Sequence, residues 1–161
     1  MVEDRSALSH YREDGSAHMV DVSAKQPTTR TAVAEARFVT RPDVVEQITD
    51  GRLPKGEALA TARIAGVLAA KQTPMLIPLC HPLPLSKIEI DLLPETDAVV
   101  IRATVRTTAP TGVEMEAMTA VSVAGLTLYD MVKAVDRAAS LEGIRVISKQ
   151  GGTHDWEAGD A

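Results

Sequence analysis

From Thr31 to Thr40 apolar and polar positions alternate, with Ala32, Ala34, Ala36 and Phe38 on one side, the period of a half-buried strand. Pro42 is placed to open a short helix through Asp50, which Gly51 ends. Gly56 to Lys71 carries the longer helical period, and a proline-rich stretch follows it. Lys87 to Leu92 alternates again, with Ile88, Ile90 and Leu92 facing in. "PETD" at 94–97 reads as a turn, and Val99 to Thr107 as the second strand of a hairpin. Gly112 to Arg137 predicts a long helix, and Glu142 to Lys149 a last strand. The order β-α-α-β-β-α-β predicts an α+β fold, a ferredoxin-like sandwich with an antiparallel sheet and its helices packed on one face. Residues 18–152 form one domain in this reading, between flexible polar tails at 1–17 and 153–161.

Both longer helices are apolar on most of their circumference. "GEALATARIAGVLAAK" and the segment Val113 to Val135 offer more apolar surface than one sheet can cover. Alanines tolerate exposure and account for part of this. The remainder predicts a homo-oligomer, because helix-sized apolar patches are uncommon on monomers.

Composition narrows the function. Aromatic residues are 2% of 161 and the net charge is −5, which argues against a general nucleic-acid binder lacking both stacking platforms and a basic face. One cysteine excludes an internal disulfide framework and a multi-cysteine zinc site. The uncharged run Ala117–Tyr129 is too short to span a bilayer, and the polar N-terminus has no signal-peptide core. The expectation is a cytoplasmic protein with no membrane partner.

Candidate chemistry begins at "IPLCHPLPLSK", residues 77–87. Pro78, Pro82 and Pro84 stiffen the segment around Cys80 and His81. His81 is either a hydrogen-bonded histidine in a rigid connector or a presented functional group. Cys80 lacks the ligand spacing of a metal site, and no neighbouring base marks it as a nucleophile. "TGVEME" opens the long helix. Thr111 and Glu114 have capping-box spacing, a local explanation for Glu114, which remains a substrate-binding candidate beside Glu116. Glu116 has no such explanation among Met115 and Met118. Asp130 and Lys133 are i,i+3 neighbours: a surface ion pair, or an acid and a base on a half-buried face. Glu116 and Asp130 share a helical face but lie about 21 Å apart along it, so a small substrate touching both requires a site built from two subunits. Lys55 before Gly56, Arg63, and Lys149 before Gly151-Gly152 suit phosphate groups, with Lys25 and Arg30 as additions. No Walker A pattern and no G-x-G-x-x-G occurs. A catalyst, a regulatory oligomer binding anionic nucleotides, and a structural assembly protein all remain open on these residues; only the first needs Asp130.

"HMVDVSAK" (18–25), "KGEALATARIAG" (55–66), "IPLCHPLPLSK" (77–87) and "TGVEMEAMTAVSVAGLTLYDMVKA" (111–134) together resemble the cyclic pyranopterin monophosphate synthase family of molybdenum cofactor biosynthesis. The resemblance covers most of 18–152. It implies a ferredoxin-like subunit, a homohexamer built as a trimer of dimers with sites at subunit interfaces, and a lyase acting on 3′,8-cyclo-7,8-dihydroguanosine 5′-triphosphate with release of pyrophosphate. Asp130 matches the family's catalytic aspartate and Lys133 its partner. Leu79, Cys80 and His81 match its substrate loop, Met115 and Glu116 its binding pair, and Lys55 and Lys149 further functional lysines. No cofactor is required by these motifs; Mg²⁺ accompanying the triphosphate is compatible with them. One departure is Thr153, where the family usually carries a lysine after the glycine pair; His154 is a candidate substitute.

Overall fold

The computed structural model describes residues 15–159. Five strands and three helices follow in the order β1 Thr28–Val39, α1 Pro42–Thr49, α2 Ala58–Leu76, β2 Leu85–Pro94, β3 Ala98–Ala109, α3 Glu114–Val132, β4 Ser140–Gln150 and β5 Trp156–Glu157. The sheet runs β2-β3-β1-β4-β5 and every pairing is antiparallel. β1 and β2 are therefore parallel across β3, and β3 and β4 parallel across β1. Two β-α-β crossovers interleave, the split pattern of an α+β sandwich of ferredoxin-like type.

The alternation read from β1 sets the core. Ala32, Ala34, Ala36 and Phe38 are buried and face α3, whose Ala117, Ala120, Ala124 and Leu128 are buried against them. Small residues on both sides let helix and sheet approach closely. Gly125 marks the tightest approach: a Cβ there would overlap the side chain of Leu141 on β4. Its cost to the helix, about 1 kcal/mol relative to Ala, is accepted for this helix–strand contact.

Several boundaries moved. α2 runs past Lys71 to Leu76 with Pro74 inside it. A proline there cannot donate to the carbonyl four residues back, and the carbonyl of that residue, Ala70, instead accepts from the buried Thr73 hydroxyl at 3.0 Å. α3 starts at Glu114 with Val113 as N-cap and no side-chain cap, so the capping box of Thr111 and Glu114 does not form. α3 also stops at Val132 rather than Arg137. Buried Asp136 accepts from the Thr40 hydroxyl (2.7 Å) and the Ala138 N–H (3.0 Å), fixing the turn beyond it. The stretch expected to trail after Gly152 contains β5, paired to β4 through Ser148 with Glu157 and Lys149 with Trp156. Of the expected N-terminal tail, 1–14 lies outside the described residues.

Candidate active site

The antiparallel pair of α2 and α3 has candidate residues at both ends. At one end, α2 delivers the chain into the 77–84 loop beside the first turn of α3. The Cys80 N–H bonds the Ile77 carbonyl at 3.0 Å, and the buried Thr107 hydroxyl donates to the Pro84 carbonyl at 2.7 Å, so the prolines are anchored as well as stiff. The loop, the first turn of α3 and residues 20–25 line an open-mouthed cavity of about 510 Å³. Leu79, Cys80, His81, Glu114, Met115 and Glu116 all line it, whereas the other binding candidates Lys55, Arg63 and Lys149 do not. Val20, Val22 and Lys25 close the remaining side. His81 Nε2 lies 2.8 Å from the Val20 carbonyl oxygen, to which the ring N–H donates. That strap lies inside a motif the sequence flagged, but nothing in its spacing showed where it would pack.

Glu116 is 3% exposed. No side chain among the described residues pairs with its carboxyl. Burial pushes its pKa up, and the charge of Glu114 adds to the rise. A carboxyl with a raised pKa takes up a proton more readily than an ordinary one, and when protonated it donates as well as accepts a hydrogen bond. Burial, and then the charge of Glu116, also raises the Cys80 thiol, so Cys80 contributes wall and backbone rather than a thiolate.

Lys149 and Glu114 form an ion pair at 3.4 Å. They line a second, smaller cavity of about 160 Å³ together with Arg30, Gly152 and His154. Gly112 and Glu114 border both cavities.

At the other end of the pair sits Asp130. Its carboxylate accepts from Lys133 Nζ (2.7 Å) and from Lys55 Nζ (2.6 Å), and Lys55 also donates to the Asp130 carbonyl at 2.8 Å. Those lysines, Lys133 foremost, hold the Asp130 carboxyl down at about 2, and Asp130 in turn raises Lys133. Lys55 was read from the sequence as a phosphate ligand; its contact with Asp130, 75 residues away, carried no sequence signal. Arg63 joins neither group: its Nε donates to the Ile90 carbonyl at 3.2 Å, midway along α2.

Among the described residues no group of three or more His, Cys, Asp or Glu is placed to hold a metal. No described helix is long and apolar enough to cross a membrane. The outer surface of the helix pair is apolar and open, with Ile64, Leu68, Met75 and Leu126 all more than half exposed.

Fold and site together define an α+β protein with a carboxyl-lined cavity, a smaller basic cavity beside it, and a separate lysine–aspartate–lysine cluster. The MoaC family model matches residues 19–152, and the chain belongs to that family. It is 60% identical over 152 residues to the cyclic pyranopterin monophosphate synthase of Corynebacterium glutamicum strain R, covering 94% of this chain and 97% of that protein. It is 57% identical over 155 residues to the protein of the same name from Streptomyces coelicolor (96% and 91% covered). A third, from Dinoroseobacter shibae, is 54% identical over 149 residues (91% and 94% covered).

Proposed function

We propose that this protein is a cyclic pyranopterin monophosphate synthase: a lyase that converts 3′,8-cyclo-7,8-dihydroguanosine 5′-triphosphate to cyclic pyranopterin monophosphate and pyrophosphate, in molybdenum cofactor biosynthesis. Family membership at 60% identity over 94% of the chain carries this reading. The site chemistry suits it. The larger cavity, about 510 Å³, is in the size range of small-molecule sites and fits a purine-derived ring system, with Leu79, Cys80, His81, Met115 and Glu116 as its binding wall.

The final closure is an internal displacement. A substrate hydroxyl oxygen bonds to the α-phosphorus, the bond from that phosphorus to the bridging oxygen breaks, and pyrophosphate leaves. The hydroxyl proton passes to the departing pyrophosphate oxygen, and the ring-opening steps before it need protons delivered to nitrogen and oxygen. In this reading Asp130 and Lys133 are the catalytic pair. Asp130, with its carboxyl near 2, is a weak base at rest; it holds Lys133 and Lys55 protonated and positioned. When substrate replaces one lysine–carboxylate contact, Lys133 is the proton donor and Asp130 the group that stabilises what remains. No cofactor is required in this reading; any Mg²⁺ would accompany the triphosphate rather than be held by a carboxylate cluster of the described residues.

The two clusters are separated by most of the length of α3, about 21 Å from Glu116 to Asp130 by helix geometry. One substrate meets both only if two subunits share the site. The exposed Ile64, Leu68, Met75 and Leu126 supply an apolar surface for such a contact, and we assign the protein a homohexamer of three dimers with sites at subunit interfaces. The cytoplasm is the compartment that supplies a guanosine triphosphate derivative. The test is pyrophosphate release from the cyclic triphosphate by wild type and Asp130→Asn; near-normal release by the Asn variant removes the catalytic assignment.

A further inference from the structure

The turn that leaves α3 is held by buried polar groups that line neither cavity. Asp136 and Thr40 are 7% and 5% exposed. A buried carboxylate stays ionised only where hydrogen bonds replace the water it has lost. Asp136 has three. It accepts from the Thr40 hydroxyl at 2.7 Å, the Ala138 N–H at 3.0 Å and the Arg41 N–H at 3.3 Å. These bonds, that from Thr40 foremost, hold its pKa below the ordinary carboxylate range against the cost of burial. The Arg41 guanidinium lies 3.8 Å from the same carboxylate and reaches two ways. Its Nη1 donates to the Val135 carbonyl at 3.0 Å. Its Nε and Nη2 grip Asp43, in the first turn of α1, at 2.9 and 3.0 Å.

Both sides of this clamp are anchored. The Thr40 N–H donates to the Asp97 carbonyl at 3.0 Å, which fixes the β1–α1 junction to the start of β3. On the α3 side the N–H groups of Val135 and Asp136 both donate to the Val132 carbonyl, at 2.8 and 2.9 Å, and the Lys133 N–H donates to the Tyr129 carbonyl at 2.9 Å. The last turn of a helix frays unless its end is tied down, and Asp136 lies three residues beyond Lys133. The loop that carries Lys55 follows α1, whose start the same clamp holds. One buried carboxylate thus ties together the two elements that meet in the lysine–aspartate–lysine cluster.

We propose that Asp136, gripped by Thr40 and Arg41, is a positioning residue that holds the last turn of α3 so that Lys133 stays on Asp130 and Asp130 within reach of Lys55. Its consequence for turnover rests on the proposed function; the contact it maintains does not.

Lys133 reports that contact, because Asp130, foremost among its neighbours and followed by Tyr129, raises its pKa. Its titration is followed by NMR of the labelled side chain in the full-length protein. In Asp136→Asn, and in Thr40→Val, which removes the hydroxyl and keeps the branched shape, Lys133 should titrate at lower pH than in wild type. Turnover should fall roughly 10–100-fold in each, the cost of a small misplacement of reacting groups. If Asp136→Asn does not fold, Thr40→Val alone carries the test. The loss should vanish in an Asp130→Asn background, where no pair remains to be positioned. A Lys133 titration unmoved in both variants overturns the proposal, whether or not turnover falls. So does a loss that persists undiminished in the Asp130→Asn background. If Lys133 shifts as expected but Asp130→Asn turns over near normally, the clamp stands and the catalytic assignment falls.

Discussion

The two ends of α3 each present a carboxyl, and the two are perturbed in opposite directions. Glu116, in the first turn, is buried, and desolvation raises its pKa. Asp130, in the last turn, is exposed, and two ammonium groups lower its pKa to about 2. Burial removes water that would solvate a charge; a lysine replaces that water with a better partner. One helix thus carries a carboxyl that burial makes easier to protonate at its first turn and a lysine-held anion at its last. The first suits recognition of a ring, the second suits holding protons in place.

The largest expected effect falls at the open end. Asp130→Asn should fold and assemble but lose roughly 10²–10⁴-fold in turnover, the usual contribution of a positioned proton-transfer group. Lys133→Ala should match it. The double variant should be little worse than either, because groups acting as a unit are not additive. Steady-state pyrophosphate release reads all three; full additivity would separate the two residues.

Next is the surface that would bring the two ends together. Leu68→Glu with Leu126→Glu places charges on the exposed face of the helix pair. Sedimentation should show dissociation, with turnover lost while the monomer keeps its secondary structure. An intact assembly with two glutamates on that face would put the contact elsewhere.

Between the two ends, Gly125→Ala tests packing. Crowding against Leu141 should cost about 1–3 kcal/mol, less up to about 1 kcal/mol of helix propensity returned. Thermal unfolding should show a fall of a few degrees. A rise would mean that Leu141 moves aside freely.

The smallest effects are in pH dependence, and their signs differ. Glu116 has a raised folded pKa, so ionising it costs stability as pH rises through that value. Glu116→Gln should therefore raise Tm at pH 7, and the gain should disappear below the ordinary carboxyl range, where the wild-type group is neutral in both states. Asp130 has a depressed folded pKa. Its contribution is present above the unfolded value near 4 and is lost as pH falls toward 2. Wild type minus Asp130→Asn should shrink over that interval, modestly, since the group is exposed. Parallel pH profiles for the two variants would erase the contrast.

Local pattern determined much of this protein. The alternation in β1, β2 and β3 fixed which face is buried, because a strand with one buried face has a strict period of two. Proline and glycine punctuation placed the loop of Cys80 and His81 and the start of α1. The chemistry-bearing residues were legible too, as carboxyls and cations set among apolar neighbours. Four things required the folded structure. Pro74 continues a helix because the buried Thr73 hydroxyl bonds the carbonyl the proline leaves free. Glu114 pairs with Lys149 instead of capping its helix, and Lys55 finds Asp130 from 75 residues away. Gly151 brings His154 and Trp156 back beside Lys149. In all but the first the deciding partner is remote in sequence. Periodicity and propensity are local properties, whereas which charge meets which is set only when the sheet order brings distant segments to the same end of a helix.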